Sequence, residues 1–283
     1  MKTLSRVYTA LILFFLYAPI IVLVVFSFNS SDSTGVFSGF SLKWYRELFR
    51  NGEIMRALKN TLVVALLSSL IATVIGTLAA VGIYNYRRKW FRTAVLTVTD
   101  IPMMNPDIVT GISMMLLFVS AGALLGLRSS LGFVTLLIAH ITFNLPYVIL
   151  TVLPKLRQTD PHLAEAAQDL GCTPMGAFMR VVLPSIFPGI MSGMIMAFTL
   201  SLDDFIISNF TTETFQTLPL YIYSMTKKKV TPDINALSTL IFVIVLSLLL
   251  VINLSQSHYE KKQREAERKF ESTGASQRDS DVI

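Results

Sequence analysis

Four aspartates stand where an apolar chain has least use for charge. Asp100 and Asp107 interrupt one long apolar stretch, and Asp203 and Asp204 close another. A carboxylate inside a membrane span costs roughly 2.5 to 3.5 kcal/mol on insertion scales, so such groups are usually functional or paired. No Lys or Arg lies within these stretches to pair with them. An excess of buried negative charge suits a cation, and Asp107 and Asp203 are the candidates to line one outer route for it. Neighbouring residues on a helix point about 100° apart, so one of Asp203 and Asp204 faces that route while the other caps or pairs. Asp107 also has a competing role. Pro102 and Pro106 disrupt its stretch, and a carboxylate there can satisfy N–H groups freed by the break. His140 reads as a buried, hydrogen-bonded histidine, and Phe143 and Tyr147, one helical turn apart, as packing.

Nothing accompanies these acids that would make an enzyme. The run Gly189-Ile-Met-Ser-Gly193 lacks a glycine two before Ser192, and no His-Glu-x-x-His occurs. The methionines read as adaptable packing and not as a metal site. No Gly-x-x-x-x-Gly-Lys-Ser/Thr phosphate loop is present, so catalytic and metal-ligating residues are expected to be none. Any nucleotide chemistry must come from another chain.

The elements that hold the acids are those of a membrane protein. Of the 283 residues 53% are hydrophobic and only 15% charged, and the mean hydropathy is +0.60. Residues 7–28, 61–86, 129–154, 181–202 and 234–257 are free of Asp, Glu, Lys and Arg, each for about the ~20 residues a spanning helix requires. A sixth run, 93–127, is broken only by Asp100 and Asp107. Six spans put both termini on one side. Lys and Arg near the span ends number fifteen on the side of the termini against nine on the other. Arg87, Arg88, Lys89 and Arg92 fill a very short loop with no acid, which makes the termini cytoplasmic by the positive-inside rule.

The first span runs into Asn29, Ser30, Ser31 and Asp32 and reads as a retained helix, since a cleavable signal would have a shorter apolar core. Cys172 is the only cysteine and can form no intrachain disulfide. The net charge of +6 suits an anionic inner leaflet, and the basic residues follow the span ends, which excludes a nucleic-acid face.

The loops carry further signals. Leu42, Tyr45, Leu48 and Phe49 recur at helical spacing after Ser41, which predicts a short capped surface helix with Trp44 and Tyr45 as interface anchors. Thr231 and Pro232 mark a start for the last span. Residues 258–283 turn abruptly polar and charged, the composition of a largely disordered tail behind a transmembrane domain of residues 1–257. Between spans four and five, Asp160-Pro161 reads as a helix start and Gly171 as its stop, framing about three turns.

In this segment the sequence resembles the permease subunits of ABC importers. Their signature is Glu-Ala-Ala, three residues, Gly, nine residues, then Ile, any residue, Leu-Pro. Glu165, Ala166, Ala167, Gly171, Leu183 and Pro184 fall in register, with Val181 where Ile is usual. The likeness extends through Phe28-Asn-Ser-Ser31, Asn105-Pro-Asp-Ile, His140-Ile-Thr-Phe143 and Thr199-Leu-Ser-Leu-Asp-Asp204, in the order seen in spermidine/putrescine permeases of the PotC and PotI type.

The resemblance implies an all-α integral membrane protein with the type I ABC importer permease fold, in the cytoplasmic (inner) membrane of a bacterium. It implies that residues 155–184 couple the chain to an ATP-binding subunit, itself a homodimer, which holds the ATP and magnesium. It also implies a second related permease, an extracytoplasmic binding protein and a polyamine cargo. A different small solute carried by the same machinery, and a stand-alone channel or carrier, are the alternatives.

Overall fold

The computed structural model describes residues 2–31, 36–126, 131–228, 233–247 and 250. Their regular structure is helical, apart from one isolated β-bridge between Asn29 and Phe40. The chain forms two compact units, residues 51–229 and residues 1–50 with the chain from 230 onward.

The first unit holds α3 (Gly52–Asn85), α4 (Lys89–Met104), α5 (Asp107–Leu124), α6 (Phe133–Gln158), α7 (Leu163–Asp169), α8 (Pro174–Ala177), α9 (Leu183–Asp203), α10 (Ile206–Thr211) and α11 (Leu218–Lys228). Asn51 starts α3, its Oδ1 accepting from the N–H groups of Glu53 at 3.0 Å and Ile54 at 3.4 Å. The core is the mutual packing of α3, α6 and α9, with Ala72, Ala80, Val148, Val152, Ile186 and Ala197 buried between them.

In a bilayer, lipid tails remove the hydrophobic drive between helices, so close packing of small residues takes its place. Gly76 and Gly193 supply it. A Cβ on Gly76 would lie 2.7 Å from Val148 Cγ1, and one on Gly193 3.2 Å from Val148 Cα. Buried hydrogen bonds join the same three helices: Asn144 Nδ2 donates to Ser201 Oγ at 2.8 Å, and Ser201 Oγ lies 3.0 Å from Ser68 Oγ.

The second unit is built on α1 (Lys2–Phe26) and α2 (Lys43–Arg50) and includes the apolar helix α12 (Asp233–Ser247). Ser41 Oγ accepts from the Lys43 N–H at 3.1 Å at the start of α2. The buried face of α2 is Trp44 and Leu48, while Leu42 and Phe49 are exposed. Trp44 therefore corrects the expectation of an interface anchor: it is buried, with Nε1 donating to the Asn29 carbonyl at 2.7 Å. Tyr45 turns the same way, its hydroxyl 2.7 Å from Ser27 Oγ and its ring tilted by 33° against Phe28 with centroids 5.2 Å apart.

Among the described residues five helical segments are long and apolar enough to cross a membrane: Arg6–Phe26, Gly52–Asn85, Asp107–Leu124, Phe133–Gln158 and Pro174–Asp203. Of the span expected over 234–257 the structure describes the shorter apolar helix α12 and residue 250; the rest, like Thr231, Pro232 and the tail from residue 258, lies outside the described residues.

Span three differs from the expectation of one helix over 93–127. It comes as α4 and α5, separated at Asn105, whose φ of −78° and ψ of 142° are extended. Pro106 is the cause, because it lacks an N–H and disfavours helical geometry in the residue before it. Pro102 lies inside α4 without ending it.

Candidate coupling segment and carboxylate sites

The segment after α6 begins with a turn. Asp160 Oδ1 accepts from the His162 N–H at 2.9 Å and the Asp160 carbonyl from the Leu163 N–H at 3.2 Å. The helix α7 then covers seven residues, shorter than the three turns expected, because the Pro161 end is spent on this turn. Gly171 ends it at φ +89°, a left-handed conformation that only glycine adopts without strain. The chain restarts with Thr173, whose Oγ1 accepts from the Gly176 N–H at 3.2 Å.

Residues Phe178–Val182 form a π turn in which the Leu183 N–H reaches back to the Phe178 carbonyl. Pro184 explains the extra residue. It has no N–H for the carbonyl of Arg180, and its ring would collide there in a regular α-helix, so the widened turn relieves both. Through this turn α8 and α9 continue as one helical segment, Pro174–Asp203. Leu183 and Pro184 thus join the coupling segment directly to span five.

The surface that α7 presents is mixed. Ala167 is buried against the segment itself, while Ala166 and Glu165 face outward, Glu165 with 73% of its side chain exposed. Leu170, Met175 and Met179 are exposed apolar side chains around them. Glu165 Oε2 lies 3.1 Å from His162 Nδ1, and this hydrogen bond raises the His162 imidazole above its ordinary pKa. His162 is a residue that reading for the motif passes over, although its i, i+3 spacing to Glu165 is visible. A cavity of about 340 Å³ separates α7 from the ends of α3 and α6, with Tyr84, Leu156 and Gln168 among its lining. The coupling segment therefore sits at the end of the unit where α3 gives way to the basic loop at Arg87 and Arg88.

The carboxylates divide into two kinds. Asp204 follows α9 with extended backbone and has only 8% of its side chain exposed. Its Oδ1 accepts from the Ile207 N–H at 3.1 Å, and its Oδ2 from the Ser208 N–H at 2.8 Å and the Ser208 hydroxyl at 2.9 Å. This is the cap of α10. His140 Nε2 completes the cluster, 3.1 Å from Ser208 Oγ and 3.4 Å from Asp204 Oδ2. Since Ser208 gives its one proton to Asp204, its oxygen can only accept from His140, which fixes Nε2 as the protonated nitrogen. Asp203 and Asp107, by contrast, are exposed, and Asp100 is half-buried on α4.

Both exposed acids flank the contact between α5 and α10. Asp107 is the first residue of α5 and lies one turn before Gly111, where a Cβ would be 2.9 Å from the Phe210 ring and 3.5 Å from the Ile206 carbonyl. Asp203 is three residues before Ile206. Each acid thus stands about one turn along the chain from a residue that packs α5 on α10. Sequence reasoning missed Ser68, Asn144, Ser201 and Ser208, whose partners lie on other helices. Isolated polar residues in apolar helices are the only signal they leave.

The packed apolar helices and the exposed segment between α6 and α9 share their fold with membrane chains of ABC transporters. An ABC transporter that imports the acidic polysaccharide alginate has a chain of the same fold, with a TM-score of 0.70 over 91% of this chain and 95% of that one at 21% identity. The MetNI methionine ABC transporter aligns with a TM-score of 0.58 over 74% of this chain and 96% of that one, at 19% identity. The chain belongs to the family of binding-protein-dependent transport system inner membrane components, whose model matches residues 72–265. It is therefore a multi-pass inner-membrane permease of an importer.

Named relatives are similar over most of their length. The spermidine/putrescine transport system permease protein PotC of Escherichia coli is 44% identical over 241 residues, 84% of this chain and 87% of that protein. Its Haemophilus influenzae counterpart is 41% identical over 243 residues, 86% and 91%. The putrescine transport system permease protein PotI of Escherichia coli is 40% identical over 228 residues, 80% and 81%.

Proposed function

We propose that this permease carries polyamines, spermidine or putrescine, in an ATP-driven importer. The observation that carries the reading is the pair of exposed acids, Asp107 and Asp203, approaching one helix contact in a chain 44% identical to a spermidine/putrescine permease. A linear polyamine bears ammonium groups separated by methylenes. Spaced carboxylates in an apolar wall match that pattern, and Asp204, engaged by α10 and His140, sets the corner that holds Asp203 in place.

Coupling is assigned to the other end. Glu165 and Ala166 form the outward face of α7, Ala167 anchors it, Gly171 makes its turn, and Leu183 and Pro184 transmit its movement into span five. The partner is an ATP-binding subunit, present as a homodimer, which supplies ATP and magnesium. A second related permease and an extracytoplasmic binding protein complete the complex, with both termini of this chain in the cytoplasm. A tagged chain should co-purify with an ATP-binding subunit, and Leu170→Asp together with Met175→Asp should lower the recovered ATPase about tenfold by charging the exposed apolar face. A chain recovered from membranes with no ATP-binding subunit would overturn the reading.

A further inference from the structure

A groove between α3 and α4, lined also by Ile149 of α6, shares no lining residue with the coupling segment or the carboxylate sites. Its volume is about 430 Å³, within the range of ligand-holding cavities. Along α3 it follows Ala79, Gly82 and Tyr86, and along α4 Arg92, Val95 and Thr99, so both walls keep a helical face toward it over about 10 Å of rise. The groove is asymmetric. At the end where the two helices meet, Arg92 lines it, and the chain between Tyr86 and Trp90 carries Arg87, Arg88 and Lys89 as exposed cations. No acid occurs between Ala79 and Thr99, and none of the four cations has an acid partner among the described residues. Away from that end the lining is apolar but for Thr99, whose hydroxyl is turned back to the Val95 carbonyl at 2.8 Å. Tyr86 and Phe91 pack their rings at 4.5 Å at the mouth, and Trp90 is 80% exposed beside them.

We propose that this groove binds an anionic phospholipid, its phosphate on Arg92 and the neighbouring cations and one acyl chain along Gly82, Val95 and Thr99. A positive end joined to an apolar channel is complementary to an amphiphile with a negative head. A free phosphate would leave the apolar length empty, and a zwitterionic lipid would not use the excess of four positive charges. The basic loop is then more than a topological signal: it is the headgroup half of a site whose acyl half is formed by two helix faces. Gly82 leaves the channel open, because a Cβ built there meets nothing within 4 Å.

Trp90 reports on the site directly. The full-length chain, with the subunits that accompany it, is placed in nanodiscs of phosphatidylcholine containing equal fractions of either acyl-brominated phosphatidylglycerol or acyl-brominated phosphatidylcholine. Subtracting the Trp90→Phe signal isolates quenching at Trp90 from that of Trp44 and other subunits. Brominated phosphatidylglycerol should reach half-maximal quenching at about fivefold lower mole fraction than brominated phosphatidylcholine. Replacing Arg87, Arg88, Lys89 and Arg92 by Gln should remove the preference. Gly82→Leu, which fills the channel and keeps every charge, should remove it as well. Equal quenching by the two lipids in the unmodified chain overturns the proposal, as does a preference that survives Gly82→Leu.

Discussion

Replacing Gly193 by leucine should destabilise the protein by at least about 2 kcal/mol and leave little folded chain in the membrane, since overpacking a tight core costs typically 1 to 3 kcal/mol. The cause is local. At Gly193 a Cβ alone would lie 2.5 Å from Thr151 Oγ1 and 3.2 Å from Val148 Cα. The hydroxyl can rotate away, but the backbone of α6 cannot, and a leucine would force α6 and α9 apart. That separation would also strain the buried link from Asn144 to Ser201. Gly82→Leu is the control, because the same side chain there enters open space. Thermal unfolding in detergent compares the two: Gly193→Leu should shift sharply and Gly82→Leu hardly at all. Equal midpoints would show that α6 and α9 do not pack as described.

The second large effect concerns cargo. A hydrogen bond to a charged group is worth about 1.5 to 3 kcal/mol, so Asp107→Asn and Asp203→Asn should each lower spermidine uptake about tenfold. The double variant should approach about a hundredfold if the two sites act independently. Asparagine keeps the shape and removes the charge, so assembly with the other subunits should be unaffected and serves as the internal check. Asp204→Asn behaves differently. It weakens the cap of α10 and its contact with His140, so its loss of uptake should be accompanied by loss of stability. A fully assembled double variant with unchanged uptake would remove Asp107 and Asp203 from the pathway.

Much of this is legible in the sequence. Long apolar runs announce membrane helices because the bilayer sets a minimum length, and the frame from Asp160 to Gly171 is written in residues with strong local preferences. What stayed hidden depends on partners far along the chain. Pro102 and Pro106 look alike in sequence, yet only Pro106 ends a helix, because surrounding structure can re-satisfy a freed carbonyl at one proline and not at another. Leu42, Tyr45, Leu48 and Phe49 predict a helix face of which the structure keeps Tyr45 and Leu48 and exposes Leu42 and Phe49, while Trp44 joins the buried side because its Nε1 donates to the Asn29 carbonyl. Asp203 and Asp204 are indistinguishable as letters. They separate only because His140 and Ser208 reach one of them.

ATP-driven uptake of radiolabelled spermidine tests the account most directly, in vesicles that hold this chain with its partner permease, ATP-binding subunit and binding protein. Spermidine should accumulate with ATP and fail to accumulate without it, and an excess of unlabelled putrescine should compete. Accumulation of spermidine that is the same with and without ATP, or none at all in vesicles whose ATPase responds to the loaded binding protein, would contradict it.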